Sequence, residues 1–372
     1  MPPTIASDIS TLLSPQSRCL NRPSSLENRL VERACSSVGR RRSSPCSHRL
    51  RAGSLTLLLG ALAPAAVFAQ AVPDTVPVPQ GINLGGTSFF DGFGSTQPGW
   101  TVIEYLRHAN LNAVLDAQGK DSPAFRDPKI SSSAALTQLI YVTPYQWLGG
   151  TIAIDAIVPL VNQNASFAAD SPVRLSDNGF GIGDIAVGAA LQMPPVMRNG
   201  RILLFQRFAL VAFAPVGKFD RDIAINQSTG YWSFSPHWAF TVQPTDNWEV
   251  SMRLHYMYNF RTDRAGGVPP IPGFQFRNGQ AGDLAWLNFA SSVKVTEQLR
   301  VGVNGFYLQQ LQDNRTNDQR VPDSKRTQFY MGPGLSWRLD AKNVLNFNVY
   351  LPVEVKNSVA GNTFNLMFVH SL

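Results

Sequence analysis

Trp248-Glu249-Val250-Ser251-Met252-Arg253-Leu254-His255-Tyr256-Met257-Tyr258-Asn259-Phe260 alternates with a period of two. Trp248, Val250, Met252, Leu254, Tyr256, Tyr258 and Phe260 share one face. Glu249, Ser251, Arg253, His255 and Asn259 share the other. Successive side chains of a strand point to opposite sides, so this stretch reads as a strand with one greasy and one polar face. The same reading holds for 232–242, where Ser233, Ser235 and His237 oppose Trp232, Phe234 and Trp238. It holds for 327–338 and for 344–354, where Asn346 and Asn348 oppose Leu345, Phe347 and Val349. No segment carries a sustained stripe of helical period.

Extended along the chain, the pattern predicts twelve strands, near 100–115, 136–144, 150–158, 183–192, 201–213, 231–242, 248–260, 284–295, 299–309, 327–338, 344–355 and 363–371. Short connections (145–149, 193–200, 243–247, 296–298, 339–343) alternate with long ones (116–135, 159–182, 214–230, 261–283, 310–326). The last, 356–362, is of middling length. A barrel of the outer membrane has short periplasmic turns, long outer loops and an even strand count. A soluble sandwich has no reason to sort loop length by end. Ten residues at ~3.4 Å each, tilted by ~40°, rise about 25 Å, the height of the apolar band. Trp100, Tyr105, Tyr141, Tyr145, Trp147, Trp232, Trp248, Tyr258, Phe260 and Trp337 sit near strand ends, where interfacial girdles belong. The fold expected is therefore all-β: a transmembrane antiparallel up-and-down β-barrel of about twelve strands, lying in the bacterial outer membrane. From Leu372 backwards, His370, Phe368, Leu366 and Phe364 give the closing strand the same period.

Composition agrees. Charged residues are 15% of the chain, against ~25% in ordinary soluble domains. The formal charge of +7 misleads. Nine arginines against Asp8, Glu27 and Glu32 give residues 1–53 a net +6, and residues 70–372, with 23 basic and 22 acidic side chains, carry only +1. Nucleic acid is therefore not an expected partner. Residues 54–69, Ser-Leu-Thr-Leu-Leu-Leu-Gly-Ala-Leu-Ala-Pro-Ala-Ala-Val-Phe-Ala, follow Arg49 and Arg51 and read as a secretory signal cleaved after Ala69. The Ala69-Gln70-Ala71 pattern offers cleavage after Ala71 as the alternative. The 53 residues ahead of it are long for a basic region, so translation is expected to start near Val38 or Leu50 rather than at Met1. All three cysteines (19, 35, 46) lie in this leader, which removes disulfides and Cys chemistry from the exported chain. The expected organisation is 1–69 as leader, 70–99 as an irregular Pro/Gly-rich arm or plug, and 100–372 as the barrel. The arm places Phe89, Phe90 and Phe93 among glycines.

An ordered series of short motifs resembles a known family. The motifs are Tyr141-Val142-Thr143-Pro144 with Leu148-Gly149-Gly150, Val158-Pro159-Leu160-Val161-Asn162, and Gly179-Phe180-Gly181-Ile182-Gly183-Asp184-Ile185. Tyr231-Trp232-Ser233-Phe234-Ser235-Pro236, Gln309-Gln310-Leu311-Gln312-Asp313, Gly332-Pro333-Gly334 and Gly361-Asn362-Thr363-Phe364 complete it. Over about 100–372 the chain is similar to bacterial outer-membrane proteins of the meta-pathway of phenol degradation family. The resemblance implies an outer-membrane barrel and uptake of aromatic or other hydrophobic compounds. It also implies that Pro236 and Pro333 are tolerated within strands, at bulges.

Gly179–Asp184 lacks the spacing of a dinucleotide loop and opens a strand, so a loop re-entering the barrel is the better reading. No His pair has metal spacing, and neither a metal nor a cofactor is expected. Ser235 and His237 share a strand face, as a hydrolase pair would, but they point inward, away from acyl chains. Alternation assigns Ser233, His237, Glu249, Arg253, His255, Asn304, Arg338, Asn346 and Asn348 to the lumen, with Asp155 and Arg207 less clearly placed. Those residues either line a solute path or hydrogen-bond across a narrow, filled barrel. The expected function is passive uptake of small hydrophobic or aromatic compounds, with a structural or binding barrel as the alternative and an enzyme not expected. The expected partners are outer-membrane lipid, the solute and the barrel-assembly machinery.

Overall fold

The computed structural model describes residues 74–76, 83–266 and 274–372. The leader and its cleavage site at Ala69 lie outside them. Twelve long strands follow in chain order. The first six are β1 (Gly99–Val114), β2 (Lys129–Trp147), β3 (Gly150–Ser166), β4 (Ile185–Gln192), β5 (Arg201–Ala214) and β6 (Ser233–Val242). The others are β7 (Trp248–Asn259), β8 (Leu284–Lys294), β9 (Leu299–Gln310), β10 (Thr327–Arg338), β11 (Asn343–Lys356) and β12 (Val359–Ser371). Each pairs antiparallel with its chain neighbours, and β1 also pairs with β12 from Thr101↔Ser371 to Val114↔Val359. The sheet is thus a closed up-and-down barrel without an edge, which satisfies every ladder hydrogen bond internally, as a bilayer demands. Both ends of the barrel chain and every short connection but Asn357-Ser358 lie on one side, the periplasmic one.

The periplasmic turn Leu148-Gly149 has φ of 49° and 80°, the left-handed pair that a two-residue hairpin requires. Two strands run well beyond the predicted segments. β2 begins at Lys129 rather than 136, and β3 ends at Ser166 rather than 158. Their extra turns are polar, Ser131–Ser133 against Asn162–Asn164, and pair above the apolar band, where no greasy alternation is needed. β12 starts at Val359, so the last outer connection shrinks to Asn357-Ser358 and ends the alternation of loop lengths.

Three expectations are corrected. Tyr105 is not an interfacial aromatic: it is buried inside, its hydroxyl donating to Gln138 Oε1 at 2.9 Å. Pro236 and Pro333 do not sit at bulges. Phe234↔Tyr258 and His237↔His255 keep one register, as do Met331↔Leu351 and Gly334↔Asn348; only the pairing at the prolines is missing, and the bulge lies between Phe329 and Tyr330. Gly179–Ile182 does not re-enter the barrel but pairs along Leu160–Gln163 of β3, extending the wall upward.

Candidate functional site

The interior face is polar, as the alternation of β6, β7, β9 and β11 requires. Ser233, Glu249, Ser251, Asn259, Asn304, Asn346 and Asn348 are all buried there. So are residues from strands of poorer contrast, notably Asn288 on β8 and Asn365 on β12. Ser233, Glu249, Asn259 and Asn304 bond to other barrel residues, while Ser251, Asn288, Asn348 and Asn365 bond to an internal segment, residues 83–98, that lies along the lumen.

The contacts of that segment are specific. Asn288 Nδ2 donates to Asn83 O at 2.7 Å, and Gly85 N donates back to Asn288 Oδ1 at 3.1 Å. Arg107 Nη2 donates to Leu84 O at 2.7 Å, and Tyr350 Oη to Gly85 O at 2.8 Å. Asn348 Nδ2 reaches Thr87 O at 3.1 Å while its Oδ1 accepts from Ser88 Oγ at 3.3 Å and from Asn304 Nδ2 at 3.2 Å. Gly92 N donates to Thr241 Oγ1 at 2.9 Å. A Cβ built on Gly92 would stand 2.4 Å from Thr241 N, so only glycine lets the segment press this close to β6. Ahead of this stretch, Thr75 Oγ1 lies 2.9 Å from Thr316 Oγ1, and Asp74 accepts from Asn314 Nδ2 at 2.9 Å, among the outer loops. Residues 74–76 thus lie among the outer loops, and 83–98 lead along the lumen to the periplasmic end, where Gly99 opens β1.

Its electrostatic anchor is Asp91. The carboxylate takes both ends of the Arg253 fork, with Nε–Oδ2 at 2.9 Å and a second bond from Nη2 to Oδ1. Arg207 donates to Asp91 O and Phe93 O, each at 3.1 Å. Below them, Glu249 accepts from Ser251 Oγ at 2.5 Å and Ser292 Oγ at 2.6 Å. Asp155, opposite, accepts from Gln138 Nε2 at 2.8 Å.

His237 and His255 face each other across β6 and β7 with ring centroids 4.7 Å apart, and His255 stacks on Trp286 at 4.1 Å. Ser235 Oγ, His237 Nδ1, both ring nitrogens of His255 and Trp286 Nε1 are buried without a hydrogen-bond partner among the described residues. Leu84 packs on the adjoining cluster of Met257, Leu284, Trp286 and Leu308. Ser235 and His237 share a face but no hydrogen bond joins them. Among the described residues, no cluster of three or more metal-ligating side chains occurs. Arg338 stands apart from the other expected lumen residues, exposed at the periplasmic end of β10.

Sequence alternation missed Asp91, Arg107, Asn288, Tyr350 and Asn365. Asp91 lies outside any strand. On β8 both faces are largely apolar, so its inward set of Leu284, Trp286, Asn288, Ala290 and Ser292 gives little contrast. Outside the membrane, burial drives the Tyr231 phenol well above its ordinary pKa, and the Asn343 side chain and the Lys342 and Asn343 amides hold Asp340 below the usual carboxylate value.

A family model described as "Putative MetA-pathway of phenol degradation" matches residues 112–368. The chain belongs to this family. No curated protein matches it in sequence. Among solved structures, an outer-membrane channel from Pseudomonas putida F1 superposes with a TM-score of 0.63 at 15% identity, covering 77% of this chain and 99% of that one. A looser likeness, with TM-scores of 0.35, is found to the KdgM porin (10% identity, 73% of this chain, 99% of that one) and to the Ralstonia pickettii toluene transporter TbuX (9% identity, 76% and 90%). The family member described here is an outer-membrane β-barrel of channel-like fold.

Proposed function

We propose that this family member admits small hydrophobic or aromatic compounds passively across the outer membrane, and that residues 83–98 form its internal gate. One observation carries the reading: Arg107, Arg207, Arg253, Asn288, Asn348 and Tyr350 of the wall bond to a removable internal segment, although Ser233, Glu249 and Asn259 bond to other barrel residues. Asn288 and Asn348 each use both ends of the amide on the backbone or side chains of 83–88. A barrel filled only for rigidity would satisfy such groups wall to wall. The unpartnered nitrogens of His237, His255 and Trp286 are groups that a solute hydroxyl can satisfy once Leu84 moves, since a buried polar atom left alone costs about 1–3 kcal/mol. Lumen-facing Ser233, Glu249, Arg253, Asn304, Asn346 and Asn348 then set what passes. In this reading the lipid bilayer and the barrel-assembly machinery are the other partners.

The structural alternative rests on Glu249, Asn259, Asn348 and Asn365, which are fully buried. Liposomes decide between the two. Deleting 83–95 should raise entry of phenol and toluene above the intact protein, with the barrel still heat-modifiable on SDS gels. If neither protein passes any solute faster than empty liposomes, the structural reading replaces transport.

A further inference from the structure

At the outer end of the barrel, the connections after β5 and β7 enclose an open groove of about 540 Å³. Trp232, Arg261, Thr262, Asp263, Arg264 and Arg277 line it. Three guanidinium groups thus meet one carboxylate. Arg261 is paired with Asp318 at 2.9 Å, but Arg264 and Arg277 make no ion pair among the described residues, and both are exposed. The intervening residues 267–273 are Gly-Val-Pro-Pro-Ile-Pro-Gly and bring no charge.

The backbone that carries these arginines is fixed. Thr262 Oγ1 donates to Gly230 O at 2.8 Å and accepts from Arg264 N at 3.0 Å. Thr262 and Gly279 exchange backbone bonds at 2.9 and 2.8 Å, and Arg277 N donates to Asn317 Oδ1 at 2.7 Å. Position decides the occupant. Trp232 continues the outward series Phe234 and Trp238 of β6, and Phe260 N donates to Trp232 O at 2.9 Å. Trp232, Tyr258 and Phe260, all exposed, mark the level at which acyl chains give way to headgroups. A groove opening on that belt faces lipid rather than the lumen, and the headgroups of the outer leaflet carry phosphates. The planar, permanently charged fork of arginine suits a phosphate.

We propose that this groove binds a phosphate of lipopolysaccharide, with Arg264 and Arg277 as its free cations and Trp232 against the first acyl segment. The site is independent of whether the barrel transports anything.

The test uses full-length exported protein in mild detergent, titrated with purified deep-rough lipopolysaccharide and, in parallel, with the same glycolipid enzymatically stripped of phosphate. A basic side chain near an anionic lipid surface contributes about fivefold in affinity, so the double variant Arg264→Ala/Arg277→Ala should bind the intact glycolipid roughly 25-fold more weakly. Its affinity for the dephosphorylated form should be unchanged. Arg201→Ala, at the periplasmic end and paired there with Asp246, should behave as the parent. Should the double variant fail to assemble, Arg277→Gln alone should show the fivefold loss. Equal binding by parent and variant overturns the proposal. So does displacement of the glycolipid by benzoate or inorganic phosphate at matching concentration, which would make the groove a solute-capture site.

Discussion

Replacing Asp91 with asparagine should release the lumen segment without harming the barrel. Asp91 and Arg253 are largely buried, with side-chain exposures of 8% and 12%, and bond through two of the three guanidinium nitrogens. Removing one partner of such a pair costs about 3–5 kcal/mol, because the other charge stays buried and uncompensated. Here the penalty is aggravated by Arg207, whose guanidinium also points at Asp91 O. The asparagine keeps the side chain's shape, so the cost falls on charge alone. It falls on docking of 83–98, since Arg253 regains water only when the segment leaves, while the strand ladders of β7 are untouched. At about 1.4 kcal/mol per decade, 3 kcal/mol raises the open population roughly 100-fold. With Cys19, Cys35 and Cys46 replaced by serine, Ser88→Cys places a single reporter on the buried segment. Maleimide labelling reads the open fraction when opening is fast relative to reaction. Ser88→Cys/Asp91→Asn should label about 100-fold faster than Ser88→Cys alone, both remaining heat-modifiable. Rates within twofold of each other would refute the claim that this ion pair holds the segment.

Gly92→Ala tests the same docking by sterics: its Cβ meets Thr241 N at 2.4 Å, so labelling of Ser88→Cys should rise by at least tenfold with the barrel intact. Leu254→Arg places a charge on the lipid face at mid-strand, a cost of ~2–4 kcal/mol, and should reduce the heat-modifiable fraction. Ser251→Arg, inward and only 1% exposed, should assemble but expel the segment, speeding Ser88→Cys labelling; the opposite assembly pattern would invert the register.

The barrel was legible because the bilayer enforces it. Every residue on the outer face of β6, β7 and β11 must be greasy, and polar lumen residues sharpen the contrast, so Trp248–Phe260 declares its register unaided. Where the bilayer stops, so does the signal. Ser131–Ser133 and Asn162–Asn164 pair as firmly as any strand, yet the exposed Asn162 and Asn164 are as polar as the buried Gln163 between them, so no greasy alternation marks the stretch. Tyr105 was misplaced for a related reason: an aromatic at a strand end is equally at home in a girdle or packed against the lumen's own polar groups, and only its hydrogen bond to Gln138 separates the two.

The site is less legible than the wall because its chemistry is a relation between distant parts. Arg253 was visible as an inward charge, but its meaning depends on Asp91, 162 residues earlier and outside any periodic element. Glycines at 85 and 92 looked like loop punctuation. In place, Gly85 lies under the Tyr350 ring and Gly92 against the backbone of β6, so each marks a close approach. The interior asparagines carry the same lesson. Asn288 and Asn348 could have bonded to neighbouring strands and closed the barrel for good. Each instead holds the segment by a neutral amide, whose net worth is about 0.5–1.5 kcal/mol because water competes for it. A segment held by many such bonds, by Arg107 and Arg207 on its carbonyls and by one ion pair is ordered yet releasable, since water or a solute can replace the neutral bonds one at a time while the charged contacts resist.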